Sequence, residues 1–169
     1  MYATSKPSAF VEGSTVVLPS FTRLVANNTG LTSLPSKNGT LLNSMWSSHG
    51  LLSFLFSNKG VTRVIPTQTL SSKCVWDSLN TLVCAVPQSL PITSEGLPDD
   101  WYQGRVSFSD SIFLIDGSSG VSTPLYSFSD TVGIMDIVFI TTTNDHRLVS
   151  FVRKQDGSLW LLKTNLISG

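Results

Sequence analysis

Apolar residues in this chain come in short runs of three to seven, separated by clusters of Gly, Pro, Ser and Asn. No segment carries them at the three- and four-residue spacing of an amphipathic helix, so the pattern predicts strands and turns throughout. Residues 1–13 are polar, contain a proline and read as a tail. Residues 14–18 and 21–25 then read as two strands across Pro19-Ser20. From Gly30 a meander of four strands is expected at 31–34, 40–46, 51–56 and 61–65. Its turns are 35–39, 47–50 and 57–60, each short enough for a hairpin.

A second unit repeats that order. Cys74-Val75-Trp76 and the run 81–86 flank Asp77-Ser78-Leu79-Asn80, the pattern of a tight hairpin. With the turn centred on Leu79, Cys74 falls opposite Cys84 on one face, where a cross-strand disulfide fits. The alternative is two small core hydrophobes. After an insertion, Pro87 to Val106, strands are expected at 111–116 and 122–126. A third unit follows with strands at 137–140, 147–152 and 158–162 and no fourth. The segment Phe21-Thr22-Arg23-Leu24-Val25 matches Val61-Thr62-Arg63-Val64-Ile65, and is expected to serve as the outer strand that the last unit lacks.

Units of about 40 residues, each a four-stranded antiparallel sheet, are the mark of β-propeller blades, because one such sheet has two apolar faces and can bury neither alone. The units resemble blades of the TolB-type and WD-repeat-like propellers, in which a Ser-Pro-Asp-Gly kind of turn joins the two inner strands. Here that turn takes the forms Leu34-Pro35-Ser36-Lys37-Asn38-Gly39, Trp76-Asp77-Ser78-Leu79-Asn80 and Thr142-Thr143-Asn144-Asp145. The aspartate that often follows the third strand in that family is matched by Asp116. The resemblance implies an all-β fold and interaction or scaffolding roles as often as catalysis. The expected layout is a single domain over 14–169 with three blades, at about 30–66, 70–127 and 135–165, and strand 21–25 completing one of them. Three blades do not close a ring of about four to eight. Completion is therefore expected from a second copy, in a homodimer, or from the remainder of a longer chain.

Composition narrows the partners. Eleven basic and eleven acidic side chains cancel, and charged residues are only 13% of 169. That removes the electrostatic footprint that a nucleic acid requires. No apolar run is long enough to span a bilayer as a helix, and residues 1–9 lack the basic-then-apolar order of a signal peptide. Two cysteines and two histidines, His49 and His146, lie in unrelated segments and match no zinc pattern; no metal or other cofactor is expected. A disulfide would place the protein in an oxidising, extracytoplasmic compartment: secreted, periplasmic or at a cell surface. The triplets Asn27-Asn28-Thr29 and Asn38-Gly39-Thr40 agree with export.

Chemistry is best sought in the insertion, which carries Glu95, Asp99, Asp100, Trp101, Tyr102 and Arg105. Adjacent carboxylates followed by aromatics suit a calcium ion or a sugar ring. Equally, Trp101 and Tyr102 fit the gap between blades while Asp99 and Asp100 cap a turn. No nucleophile elbow is present, and neither histidine has a neighbouring acidic orienter beyond the turn residue Asp145, so no catalytic residue is assigned. The expectation is a non-catalytic binding or scaffold module presenting loops to a protein or carbohydrate. The alternatives are a glycan-active or hydrolytic propeller with paired channel carboxylates, and a structural piece of a larger propeller.

Overall fold

Alternation of burial along the strands shows how the pattern becomes structure. In the computed structural model, which describes residues 1–47, 50–56, 60–77, 80–90 and 96–164, Leu51, Ser53 and Leu55 of one strand turn into the protein while the residues between them are half-covered. That is the period of two of a pleated strand. Among the described residues there are fourteen strands. They are β1 Tyr2–Thr4, β2 Glu12–Val17, β3 Thr22–Thr29, β4 Thr32–Pro35, β5 Leu41–Ser47, β6 Gly50–Phe56, β7 Thr62–Ile65, β8 Cys74–Trp76, β9 Thr81–Pro87, β10 Asp110–Asp116, β11 Ser122–Ser127, β12 Ile137–Thr142, β13 Leu148–Arg153 and β14 Leu159–Lys163. The helical elements are short: a four-residue helix, α1, at Asp99–Tyr102 and 3-10 turns at Ser71–Lys73 and Asp130–Val132. Among the described residues no helix is long and apolar enough to cross a membrane.

The strands form four antiparallel meanders, β1–β3, β4–β7, β8–β11 and β12–β14. Two of them therefore have the four strands expected. The N-terminal region departs from expectation. Residues 2–4, read as tail, pair with β2, and the strand at Thr22–Thr29 pairs with β2 as well. It stays in a first sheet of its own and does not complete the last unit, which keeps three strands. The reason is local: a hairpin across Pro19-Ser20 brings β2 and β3 together at far less entropic cost than closure across the length of the chain.

Successive sheets pack face to face. Along β9, Leu82, Cys84 and Val86 join Leu42, Leu55 and Ile65 of the second sheet in one cluster. The residues between them, Val83 and Ala85, join Ile137, Ile140, Val149 and Phe151 of the fourth. β9 is thus buried on both faces, as a central layer must be. Cys74 and Cys84 are directly opposed in the β8–β9 ladder and are bridged, with Cα atoms 4.1 Å apart. The hairpin pairing is as expected from the sequence; its turn residues Ser78 and Leu79 lie outside the described residues. Trp46, Trp76 and Trp160 pack from strands against the three apolar clusters.

Candidate functional site

The inner strands β8 and β12 have two ends with different chemistry, and the insertion belongs to the end where they begin. There Lys73, directly before β8, is fully buried. Its Nζ lies 2.8 Å from Asp110 Oδ2 and 2.6 Å from Asp136 Oδ1. Both aspartates sit at strand starts, Asp110 on β10 and Asp136 just before β12. Trp101 of α1 donates its indole N–H to Asp136 at 2.9 Å. Its ring also lies under two ammonium groups, Lys73 at 4.7 Å and Lys154 at 4.2 Å, and stacks with Phe108. Lys154 donates to the Trp101 carbonyl and stands 3.9 Å from Asp136. Burial lowers the pKa of Lys154 against the attraction of Asp136. Two carboxylates and two ammonium groups thus balance in a site closed by an aromatic lid.

Burial also raises the Asp110 carboxyl from its ordinary 3.8 to about 6, against the opposing pull of Lys73. Its Oδ2 accepts from the Ile137 N–H at 2.7 Å, whereas Oδ1 is buried with no hydrogen-bond partner among the described residues.

The other residues singled out in the insertion serve the same plug. Asp99 accepts the Ala9 N–H at 2.5 Å, tying α1 to the β1–β2 loop. Asp100 accepts the Gly96 N–H at 3.0 Å and meets Arg105 at 2.6 Å. Tyr102 is half exposed and donates to Ser72 at 3.3 Å. Glu95 lies outside the described residues. The fit is close: a Cβ on Gly30, whose φ is +62°, would stand 2.4 Å from the Leu97 carbonyl oxygen. Asp99, Asp100 and Trp101 turn inward, and Tyr102 and Arg105 stand at the rim. Among the described residues no group of three or more His, Cys, Asp or Glu could hold a metal ion.

At the other end of the inner strands lies an open groove of about 440 Å³. Its walls are the last residues of three successive first strands: Leu34 and Pro35 of β4, Trp76 of β8, and Thr141 and Thr142 of β12, with Lys37 and Asn144 from the turns that follow. Those turns are bonded to one another. Asn38 donates to Asn80 at 2.7 Å, and Asn80 donates to Ser118 at 3.2 Å. The Gly117 N–H reaches the Asn80 carbonyl at 2.9 Å, and a Cβ at Gly117 would lie 2.6 Å from the Trp76 ring. Trp76 itself donates to the Leu34 carbonyl at 3.0 Å, fixing its indole across two sheets.

The turns at this end also bring together a pair that sequence spacing concealed, of which Asp77 lines the groove. His146 Nε2 is 2.9 Å from Asp77 Oδ2, although 69 residues separate them. The other Asp77 oxygen accepts the Thr81 N–H at 2.7 Å. Asp145, the acidic neighbour, instead binds Thr143 and the Arg147 N–H, bonds that lower its pKa. A carboxylate bonded in this way holds an imidazole in one orientation, here across the turns of the third and fourth sheets. A clue in sequence was that both lie in the first hairpin turn of their units, Asp77 at its start and His146 near its end. His49 lies outside the described residues.

No protein-family model matches the chain, and no curated protein matches it in sequence. Among solved structures, a chain of Kuenenia stuttgartiensis hydrazine synthase is similar in fold, with a TM-score of 0.55 and 12% identity. The match covers 93% of this chain and 47% of that one, so this chain spans about half the length of the structure it resembles.

Proposed function

We propose that this protein is a propeller-type binding module whose ligand face is the groove at the turn end of β4, β8 and β12. Its units are read as blades of the TolB-type or WD-repeat-like kind. The observation that carries the proposal is the convergence there of three equivalent turns, already bonded to one another through Asn80 and through Asp77–His146. Loops held in place before a ligand arrives lose little entropy on binding. The groove volume lies within the range of small-ligand sites. Trp76 offers an apolar ring edge, while Thr141, Thr142, Asn144 and Lys37 offer hydrogen bonds. That mixture suits a saccharide or a polar loop of a partner protein. The binding reading is favoured over hydrolysis because the paired carboxylates, Asp110 and Asp136, are balanced by Lys73 and Lys154 at the closed end and do not face the groove. The bridged Cys74 and Cys84 support an extracytoplasmic setting.

The test is a screen of the intact protein on a glycan array and a displayed-peptide library, repeated with Thr142→Arg, which fills the groove from a half-buried strand end. Hits that bind wild type are expected to weaken at least tenfold in the variant. Hits bound equally well by both would move the ligand site elsewhere.

A further inference from the structure

The fourth sheet is built like the others, yet among the described residues only one of its faces is covered. Phe151 and Val149 of β13, with Trp160 and Leu162 of β14, turn toward the third sheet. Their neighbours turn away, and they are apolar too: Leu159 is 76% exposed, Leu161 69% and Leu148 39%. The ladder sets Leu159 beside Val152 and Leu161 beside Ser150, so these side chains form one continuous outward surface. A soluble protein rarely leaves such a surface bare unless something docks on it.

The edge of that sheet is also open. In the two four-stranded sheets the outermost strands are blunted, β11 by Pro124 within it and β7 by its four-residue length and the following Pro66. β14, Leu-Trp-Leu-Leu-Lys, has neither proline nor glycine, and among the described residues it is the outermost strand of its sheet, with no strand paired on its outer side. The opposite end of the molecule has the complementary defect. The first sheet has three strands, with Phe10, Val11 and Phe21 between 66% and 71% exposed around it. Its edge strand β3 carries the Thr-Arg-apolar sequence that in β7 marks the outer strand of a complete sheet.

We propose that a second copy of this chain docks its first sheet against the exposed face and edge of the fourth, and that the reciprocal contact closes a two-fold ring of eight sheets. The inference rests on the propeller reading above and names the partner that it requires. Within one chain each sheet already packs on the next, so the contact between copies continues a mode the sequence uses throughout. A head-to-tail contact of this type closes when the rotation per unit divides the circle, and eight sheets lie within the range of known rings. The fold match agrees in extent, since it takes 93% of this chain but 47% of the longer one. A formal charge of zero sets up no long-range repulsion between copies.

Light scattering at tens of micromolar should return twice 18.3 kDa. The double variant Leu159→Glu/Leu161→Glu should return a monomer that keeps its disulfide and its near-UV circular dichroism. Orientation is read by oxidative cross-linking. A mixture of Leu161→Cys and Arg23→Cys copies should cross-link between unlike chains, and Leu161→Cys alone should not. A wild-type protein that stays monomeric, a mass that climbs without limit, or cross-linking only between like chains overturns the proposal. Repeating the groove screen on the monomeric double variant separates the two readings: retained ligand binding there leaves the binding module standing even if the ring falls.

Discussion

The contact between the first and second sheets and the contact between the third and fourth do the same architectural job with opposite chemistry. The former carries hydroxyl hydrogen bonds: buried Thr15 bonds Ser33 at 2.7 Å and Thr29 donates to the Trp46 carbonyl at 2.7 Å across it, while Ser33 in turn donates to Asn43 at 2.6 Å within the second sheet. The latter is apolar over most of its area, with Val149, Phe151, Ile112 and Ile137 fully buried, and is locked at one end by Lys73, Asp110 and Asp136. Neutral hydrogen bonds exchange with those to water and contribute about 1 kcal/mol each. A buried phenylalanine contributes about 1.5–3 kcal/mol, and a buried charge left alone costs several. The third and fourth sheets should therefore form the most stable part of the molecule, and the first sheet should open first.

Breaking the charged end offers the largest effect. Lys73→Met leaves two buried carboxylates with only the more distant Lys154 as a cation and should cost about 3–5 kcal/mol, read as a lower urea midpoint. A loss below about 1 kcal/mol would mean that the ion cluster contributes little to the contact.

Next in size is a pH dependence. Because the folded-state pKa of Asp110 is raised from 3.8 to about 6, the folded protein holds a proton there that the unfolded chain has already released. The stabilisation is complete below about pH 4 and is lost as pH rises through 6, an effect of roughly 3 kcal/mol. Asp116, with its pKa lowered chiefly by Ser119, works the other way and weakens the fold as pH falls through its folded-state value. Comparing Asp110→Asn with wild type across pH 4–7 isolates the first effect: the variant should lack the decline. Parallel curves would show that Asp110 is not the titrating group.

The smallest effect sharpens the other side of the comparison. Thr15→Val removes a hydroxyl from the first contact at constant volume, leaves Ser33 with its bond to Asn43, and should cost about 1 kcal/mol. Hydrogen exchange should speed up in β1 to β3 while β9 and β13 are unchanged. Equal acceleration in β13 would show that the two contacts unfold as one unit.

Much of the fold was legible in the order of residues. Short alternating runs punctuated by Gly, Pro and Asn located thirteen of the fourteen strands to within a residue or a few. The symmetry of one hairpin paired Cys74 with Cys84 before any coordinates. β1 escaped because three residues, Tyr-Ala-Thr, carry no hydrophobic periodicity, and its sheet meets the next through hydroxyls, which pattern reading counts as surface. The site was less legible. Trp101 and its flanking aspartates were recognisable as chemistry, but nothing local shows that Trp101 seals Lys73 against Asp136, or that Asp77 holds His146.

The sequence by itself determined which segments extend, where they turn and which cysteines meet, because those outcomes depend on neighbours within a dozen residues and on the two-residue repeat of a pleated strand. Only the tertiary structure decided that the N-terminal strand keeps to its own sheet, that the insertion closes one end of the stack, and that an open groove remains at the other. These depend on groups as far apart as Lys73 and Asp136 or Asp77 and His146. Their attraction acts only after the sheets have stacked and excluded water from between them.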